Sequence, residues 1–141
     1  MVELSREECL DLLATHRFGR LAVVLNGRPL IRPLNYVFDR RLQSVVFRTA
    51  RGSKLHALLH AAKASFEIDG IDEATRTGWS VIIHGVAAEM TRPGELGHLH
   101  ELGLEPWAPG HKPHWVRIRA WTVSGRRIDL PTTTVPGYYL G

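Results

Sequence analysis

The stretch VVFRTARGSKLHALLHAAK, residues 45 to 63, holds three local patterns in 19 positions. A β-branched and aromatic run of strand type leads into a basic turn with Gly52 at its crown. A helix pattern follows, with Leu55, Leu58, Leu59 and Ala62 at i, i+3, i+4 and i+7. A turn that opens directly into a helix at Ser53 or Lys54 gathers free backbone N–H groups at the positive end of the helix dipole. Arg48, Thr49, Arg51, Ser53 and Lys54 surround that point with cations and hydroxyl donors. The combination suits a phosphate group; a capped helix start with solvated cations is the simpler alternative. The patterns GxxxxGK[ST] and GxGxxG are both missing, which argues against a P-loop nucleotidase and a Rossmann domain.

Working outward, FGRLAVVL (18 to 25) reads as a buried strand and Asn26-Gly27 as a hairpin turn. PLIRPLNYVF (29 to 38) is the return strand, its prolines at 29 and 33 marking an edge or a bend. With SVVFRT (44 to 49) these form an antiparallel meander. At the N-terminus, SREE sets Ser5 and Glu8 as a capping box with Leu4 and Cys9 in the staple positions. Downstream, ASFEID (64 to 69) alternates as a strand, IDEATRT (71 to 77) is a polar loop, and GWSVIIHGVAAEM (78 to 90) is the longest strand, with Gly85 at a bulge or bend. A short helix is expected near 93 to 102, then one last strand in HWVRIRAWTVSGRRI (114 to 128) and an irregular tail. About six strands without βαβ alternation predict a mainly β fold, an antiparallel barrel with peripheral helices. One domain over residues 1–130 and a tail over 131–141 complete the expected organisation.

The 141 residues, 44% hydrophobic and 23% charged, fit one globular domain. The net charge of +4 comes with acidic residues interleaved throughout, which favours a small local anion over nucleic acid. A single cysteine, Cys9, no apolar run of membrane length and no signal-peptide pattern lead to the expectation of a cytoplasmic protein without membrane or nucleic-acid partners. No metal is expected: His98 and His100 are two apart on a helix pattern and so face different ways. No GxSxG context supports hydrolysis. Trp107, Trp115 and Trp121 read as core or interface residues rather than a base-stacking platform.

Taken in order, GRPLIRPLNYVFD, VVFRTARGSKL, ASFEIDGID, GWSVIIHGVA and HWVRIRAWTVSGRRI resemble the pyridoxamine 5′-phosphate oxidase-like flavoproteins with the FMN-binding split-barrel fold, nearest to the small actinobacterial and nitroimidazole-resistance-like members. The resemblance runs from Ser5 to Ile128 and implies a homodimer with flavin in a groove between protomers. It implies that Arg48, Thr49, Ser53 and Lys54 hold the ribityl phosphate, that Asn35, Tyr36 and Val37 pass the polar edge of the ring, and that Trp79, Ser80 and Val81 lie beside the ring system. A flavin-dependent oxidoreductase is the implied activity, with no catalytic side chain named. An F420-dependent reductase and a flavin carrier without turnover are the alternatives. Additional basic residues for a pyridoxamine phosphate substrate have no counterpart here, and Phe47-Arg48 stands where nitroimidazole-resistance relatives often have Phe-His. A compact phosphate cluster points to FMN as cofactor, ahead of F420 or FAD.

Overall fold

The structure is a computed structural model that describes residues 1–50, 63–105, 110 and 112–130. In order come β1 (Val2–Glu3), α1 (Arg6–Thr15), β2 (Phe18–Leu25), β3 (Arg28–Asn35), β4 (Val37–Asp39), β5 (Ser44–Thr49), β6 (Lys63–Asp72), β7 (Thr77–Met90), α2 (Pro93–Glu101), β8 (His114–Arg119) and β9 (Thr122–Ile128). The helix expected from Ser53 and the tail over 131–141 lie outside the described residues.

The local signals act as their chemistry requires. Ser5 Oγ accepts from the Glu8 N–H and Glu8 Oε1 accepts from the Ser5 N–H, both at 3.1 Å, so the capping box starts α1. Asn26 and Gly27 take φ of 49° and 75°, the left-handed pair that a two-residue hairpin turn needs, and Leu25 pairs with Arg28. The loop expected over 71 to 77 is tighter than its polarity suggests. Asp72 and Thr77 already pair, and the Asp72 carboxylate accepts from the Ala74 and Thr75 N–H groups to turn the chain.

All strand pairs are antiparallel, and the main path across the sheet runs β3-β2-β6-β7-β8-β5-β4. The two ends of that path, β3 and β4, are consecutive in sequence and joined by Tyr36 alone. The sheet therefore curls until its ends meet through the chain rather than through a hydrogen-bonded ladder, which makes it a split barrel. The proline-bearing β3 sits at an edge, pairing among the described residues only with β2.

β7 serves both halves of the barrel. Gly78–His84 pair with β9 and Ala87–Met90 with β8. Gly85 falls at the changeover, where a Cβ would stand 2.2 Å from the Arg119 carbonyl oxygen, so only glycine permits the crossing. The strand expected over 114 to 128 is in fact two strands. β8 and β9 occupy successive lengths of β7, and the chain breaks at Ala120 and Trp121 to pass from one to the other. The Ala120 N–H donates to Gln43 O at 2.8 Å there. Apolar alternation continues through the corner, so it leaves no mark in the sequence pattern.

Leu21, Phe47, Phe66, Ile83, Val116 and Ile118 lead the core on the inner face, joined by Cys9 and Leu13 of α1. Cys9 is a packed core residue whose thiol pKa is raised by burial. A second cluster, Val37, Val46, Met90, Leu99, Leu104 and Trp115, lies between α2 and the outer face of β4, β5 and β8. The outer face of β3, β2 and β6 is uncovered: Val24 is 66% exposed and Ile31 62%, with Trp121 at the corner 61%.

Candidate functional site

β5 ends in two residues whose side chains leave opposite faces of the sheet. Arg48 turns outward, its guanidinium 4.7 Å from the centre of the Trp115 ring, and its Nε donates to Lys112 O at 2.9 Å. Among the described residues no carboxylate pairs with it. Thr49 turns inward and is 5% exposed, and its Oγ1 is buried with no hydrogen-bond partner among the described residues. Leaving such a hydroxyl unsatisfied costs about 1–3 kcal/mol, so a water, an ion or a ligand oxygen at this position would be stabilising. Ser53 and Lys54, the other expected phosphate ligands, lie outside the described residues.

Asn35, the last residue of β3, pairs with Phe18 of β2. Asn35 Nδ2 donates to Glu105 O at 2.7 Å, so Asn35 and Arg48 both grip carbonyls of the chain between α2 and β8. Tyr36 points into the barrel, where its hydroxyl donates to Leu13 O at 2.7 Å and its ring meets Phe66 edge-on at 4.9 Å. Burial pushes its phenol pKa up. Val37 is packed in the second cluster. Tyr36 and Val37 therefore offer a groove their backbone only.

Ser80 lies on the outer face of β7, paired with Asp69 and Arg126. Its neighbours alternate inward: Val81 is fully buried, and Trp79 packs edge-on to His16 at 4.7 Å. From Asn35 on β3 the outer face runs across β2 and β6 to Ser80 on β7, three strand spacings or about 14 Å. Arg20 lies in between, bridging Glu67 at 3.2 Å and Asp69 at 3.0 Å. Desolvation, then the neighbouring Asp69, raises the Glu67 pKa against the opposing pull of Arg20. The fold thus ties Asn35 and Arg48 to the chain between α2 and β8, sets Thr49 on the face opposite Arg48, places Ser80 across the outer face from Asn35, and turns Val81 and the half-buried Trp79 inward.

Three residues at the Arg48 end escaped the sequence reading. Trp115 is the platform under Arg48. His114 pairs in register with Thr49, and its Nδ1 lies 2.5 Å from Glu89 Oε1. A signal existed: His114, Val116 and Ile118 share the inward face, as do Ala87 and Glu89, so a polar residue stands twice where the strand period calls for an apolar one. Of the other described histidines, His98 Nε2 meets Asp39 Oδ2 at 3.2 Å and His100 packs edge-on to the same Trp115 at 5.2 Å. Among the described residues no three potential ligands converge on a metal position, and no helix is long and apolar enough to cross a membrane.

An antiparallel split barrel of this kind is the fold of the pyridoxamine 5′-phosphate oxidase class. The chain belongs to that family: its model, described as pyridoxamine 5′-phosphate oxidase, matches residues 5–127. An uncharacterized protein of Mycobacterium tuberculosis is 34% identical over 140 residues, covering 95% of this chain and 90% of its own. The FAD binding protein of Mycobacterium smegmatis is 36% identical with a TM-score of 0.78, over 90% of this chain and 99% of its own. A FAD-binding protein of Mesorhizobium loti is 27% identical with a TM-score of 0.72, over 90% and 97%.

Proposed function

We propose that this protein binds a flavin nucleotide and serves as a flavin-dependent oxidoreductase. In this reading Arg48 and Thr49, with Ser53 and Lys54, hold the first phosphate of the cofactor. The ring system follows the outer face past Asn35 and the backbone of Tyr36 and Val37 toward Ser80. The observation that carries the reading is the buried Thr49 hydroxyl next to Arg48, the one lacking a hydrogen-bond partner and the other a carboxylate among the described residues. Bound flavin supplies the hydride and electron chemistry, and the protein's contribution is binding, orientation and electrostatics, so no side chain is assigned as acid or base.

A homodimer belongs to the same reading. The uncovered outer face carries Val24, Ile31 and a cavity of about 470 Å³ bordered by Ala22, Pro29, Val86 and Trp121. A second copy applied through a two-fold axis covers that face and walls the flavin groove. The folded unit is residues 1–130, and the setting is the cytoplasm.

The compact phosphate cluster favours FMN, whereas two similar structures are of proteins named for FAD, which shifts the preference for this chain to FAD. Titration of the purified protein with FMN, FAD and F420 at one salt concentration tests both levels, since screening acts on all the phosphate contacts together. FAD binding tighter than FMN is the expected result. Tight F420 binding with negligible flavin binding replaces the cofactor, and no binding of any of them removes the reading. Reduction by NAD(P)H with turnover of an acceptor separates an oxidoreductase from a carrier.

A further inference from the structure

The sheet face assigned above to a second copy carries a charge cluster inside its apolar area. One nitrogen of the Arg20 guanidinium, Nη1, reaches from β2 across β6 and donates to Glu67 Oε1 at 3.2 Å and to Asp69 Oδ2 at 3.0 Å. Glu67 and Asp69 are two positions apart on β6 and so share this face. One cation against two ionised carboxylates leaves a formal charge of −1. The residues opposite do not offset it: Pro33 faces Arg20 from β3, while Ile82 faces Glu67 and Ser80 faces Asp69 from β7. Further charged or titratable groups on this face, among the described residues, are Arg126 on β9 opposite Ser80, Glu3 on β1 opposite Arg126, His84 on β7 with Nδ1 2.6 Å from Ser65 Oγ, and Lys63 at the start of β6.

Ile31 pairs with Ala22 and Ala22 with Ser65, one row along β6 from Glu67, which puts Ile31 about 12 Å from Glu67. A stable interface covers about 800 Å² of each partner, a patch roughly 30 Å across, so a copy seated on Val24 and Ile31 also covers the cluster. Water then leaves, and the surplus negative charge becomes costly unless it is neutralised. The cluster holds the means: a proton on one carboxylate lets it donate to the other, while both still accept from Arg20. Partial burial and the neighbouring Asp69 already raise the Glu67 pKa in the single chain, and loss of the remaining solvent acts in the same direction.

We propose that association of two copies through this face takes up one proton into the Glu67–Asp69 pair of each, so that the dimer tightens as the pH falls. A group that holds its proton more tightly in the dimer than in the monomer favours the dimer at low pH and loses that advantage as the pH rises through its dimer pKa. The window opens at the monomer pKa of Glu67, itself above the usual carboxylate value, and closes at the higher value in the dimer. With two such pairs the dissociation constant rises by up to about a hundredfold per pH unit inside that window. This inference rests on the homodimer reading above and adds to it a dependence on protons.

The test is the dissociation constant of the dimer, measured on labelled protein by fluorescence-detected sedimentation between about pH 5 and pH 8. In the wild type it is expected to rise at least about tenfold across that range. Glu67→Gln is neutral and equal in shape, and its amide can donate to Asp69 as the protonated acid does. It is expected to give a flat profile at the tight, low-pH value of the wild type. Asp69→Asn, which leaves one carboxylate to one cation, is expected to flatten the profile as well. His84→Gln removes the titrating histidine on the same face and is expected to keep the wild-type slope. A wild-type dimer with a flat profile or one that tightens at high pH overturns the inference, as does a slope that survives Glu67→Gln or vanishes in His84→Gln. Each of those results leaves the dimer standing. A wild type that is monomeric throughout overturns both.

Discussion

Thr49 separates stability from function at a single atom. Its Oγ1 is buried and, among the described residues, unpartnered. Thr49→Val, nearly equal in shape, removes the unsatisfied hydroxyl, and the protein without cofactor is expected to gain up to about 1 kcal/mol in denaturant unfolding. The same substitution is expected to weaken flavin nucleotide binding about tenfold, read by titration beside riboflavin. A loss of stability with unchanged affinity would mean that the hydroxyl serves the fold. Arg48 and Thr49 were legible as site candidates because cations and hydroxyls before a glycine turn have a recognisable chemistry. Tyr36 was legible only as part of a stretch. Its inward direction follows from strand alternation across the β3–β4 junction, and its bond to Leu13 O needs α1 folded against that junction. His114 and Glu89 are 25 positions apart in sequence and meet only because β7 and β8 pair.

Among the elements, β7 is the one on which the split of the barrel depends. It gives one length to β9 and the next to β8, with Gly85 at the exchange and the Arg119 carbonyl 2.2 Å from where a Cβ would lie. The opposing atom is backbone, so no rotamer change relieves the contact. Gly85→Ala is expected to cost about 2–4 kcal/mol of folding stability, visible as a lowered denaturation midpoint. By contrast Gly94→Ala, in the first turn of α2 where a Cβ meets nothing within 4 Å, is expected to be neutral or slightly stabilising. A Gly85→Ala protein as stable as the wild type would show that the changeover tolerates a wider separation of β7 from the corner. The sequence marked Gly85 as a bulge or bend, since glycine inside a strand pattern signals close backbone approach. It did not mark the break between β8 and β9, because a corner that keeps the apolar period has no composition of its own.

For the whole molecule, the outer face of β3, β2 and β6 sets the expectation for assembly. Val24 and Ile31 are 66% and 62% exposed, so charging them does not disturb the core of one chain. If the proposed dimer forms, Val24→Asp with Ile31→Asp is expected to turn a dimeric wild type into a folded monomer by light scattering, with flavin affinity falling alongside, because a groove closed by two copies would link binding to association. A folded monomeric variant that binds flavin as tightly as the wild type would confine the site to one protomer. By itself, the sequence determined the strand and helix patterns, the mainly β antiparallel class, the hairpin at Asn26-Gly27, the capping box and the cationic end of β5. These are properties of neighbouring residues, expressed through period, turn chemistry and charge. The tertiary structure alone decided that β3 and β4 end the sheet at opposite edges and meet through Tyr36, and that Trp79 and Val81 turn inward while Ser80 faces out. It also decided that Glu89 and His114 meet next to Thr49 and that Val24 and Ile31 stand exposed on one sheet face. Each of these depends on which strands become neighbours, and that is settled by burying apolar faces across long sequence separations, a cooperative choice that no local window records.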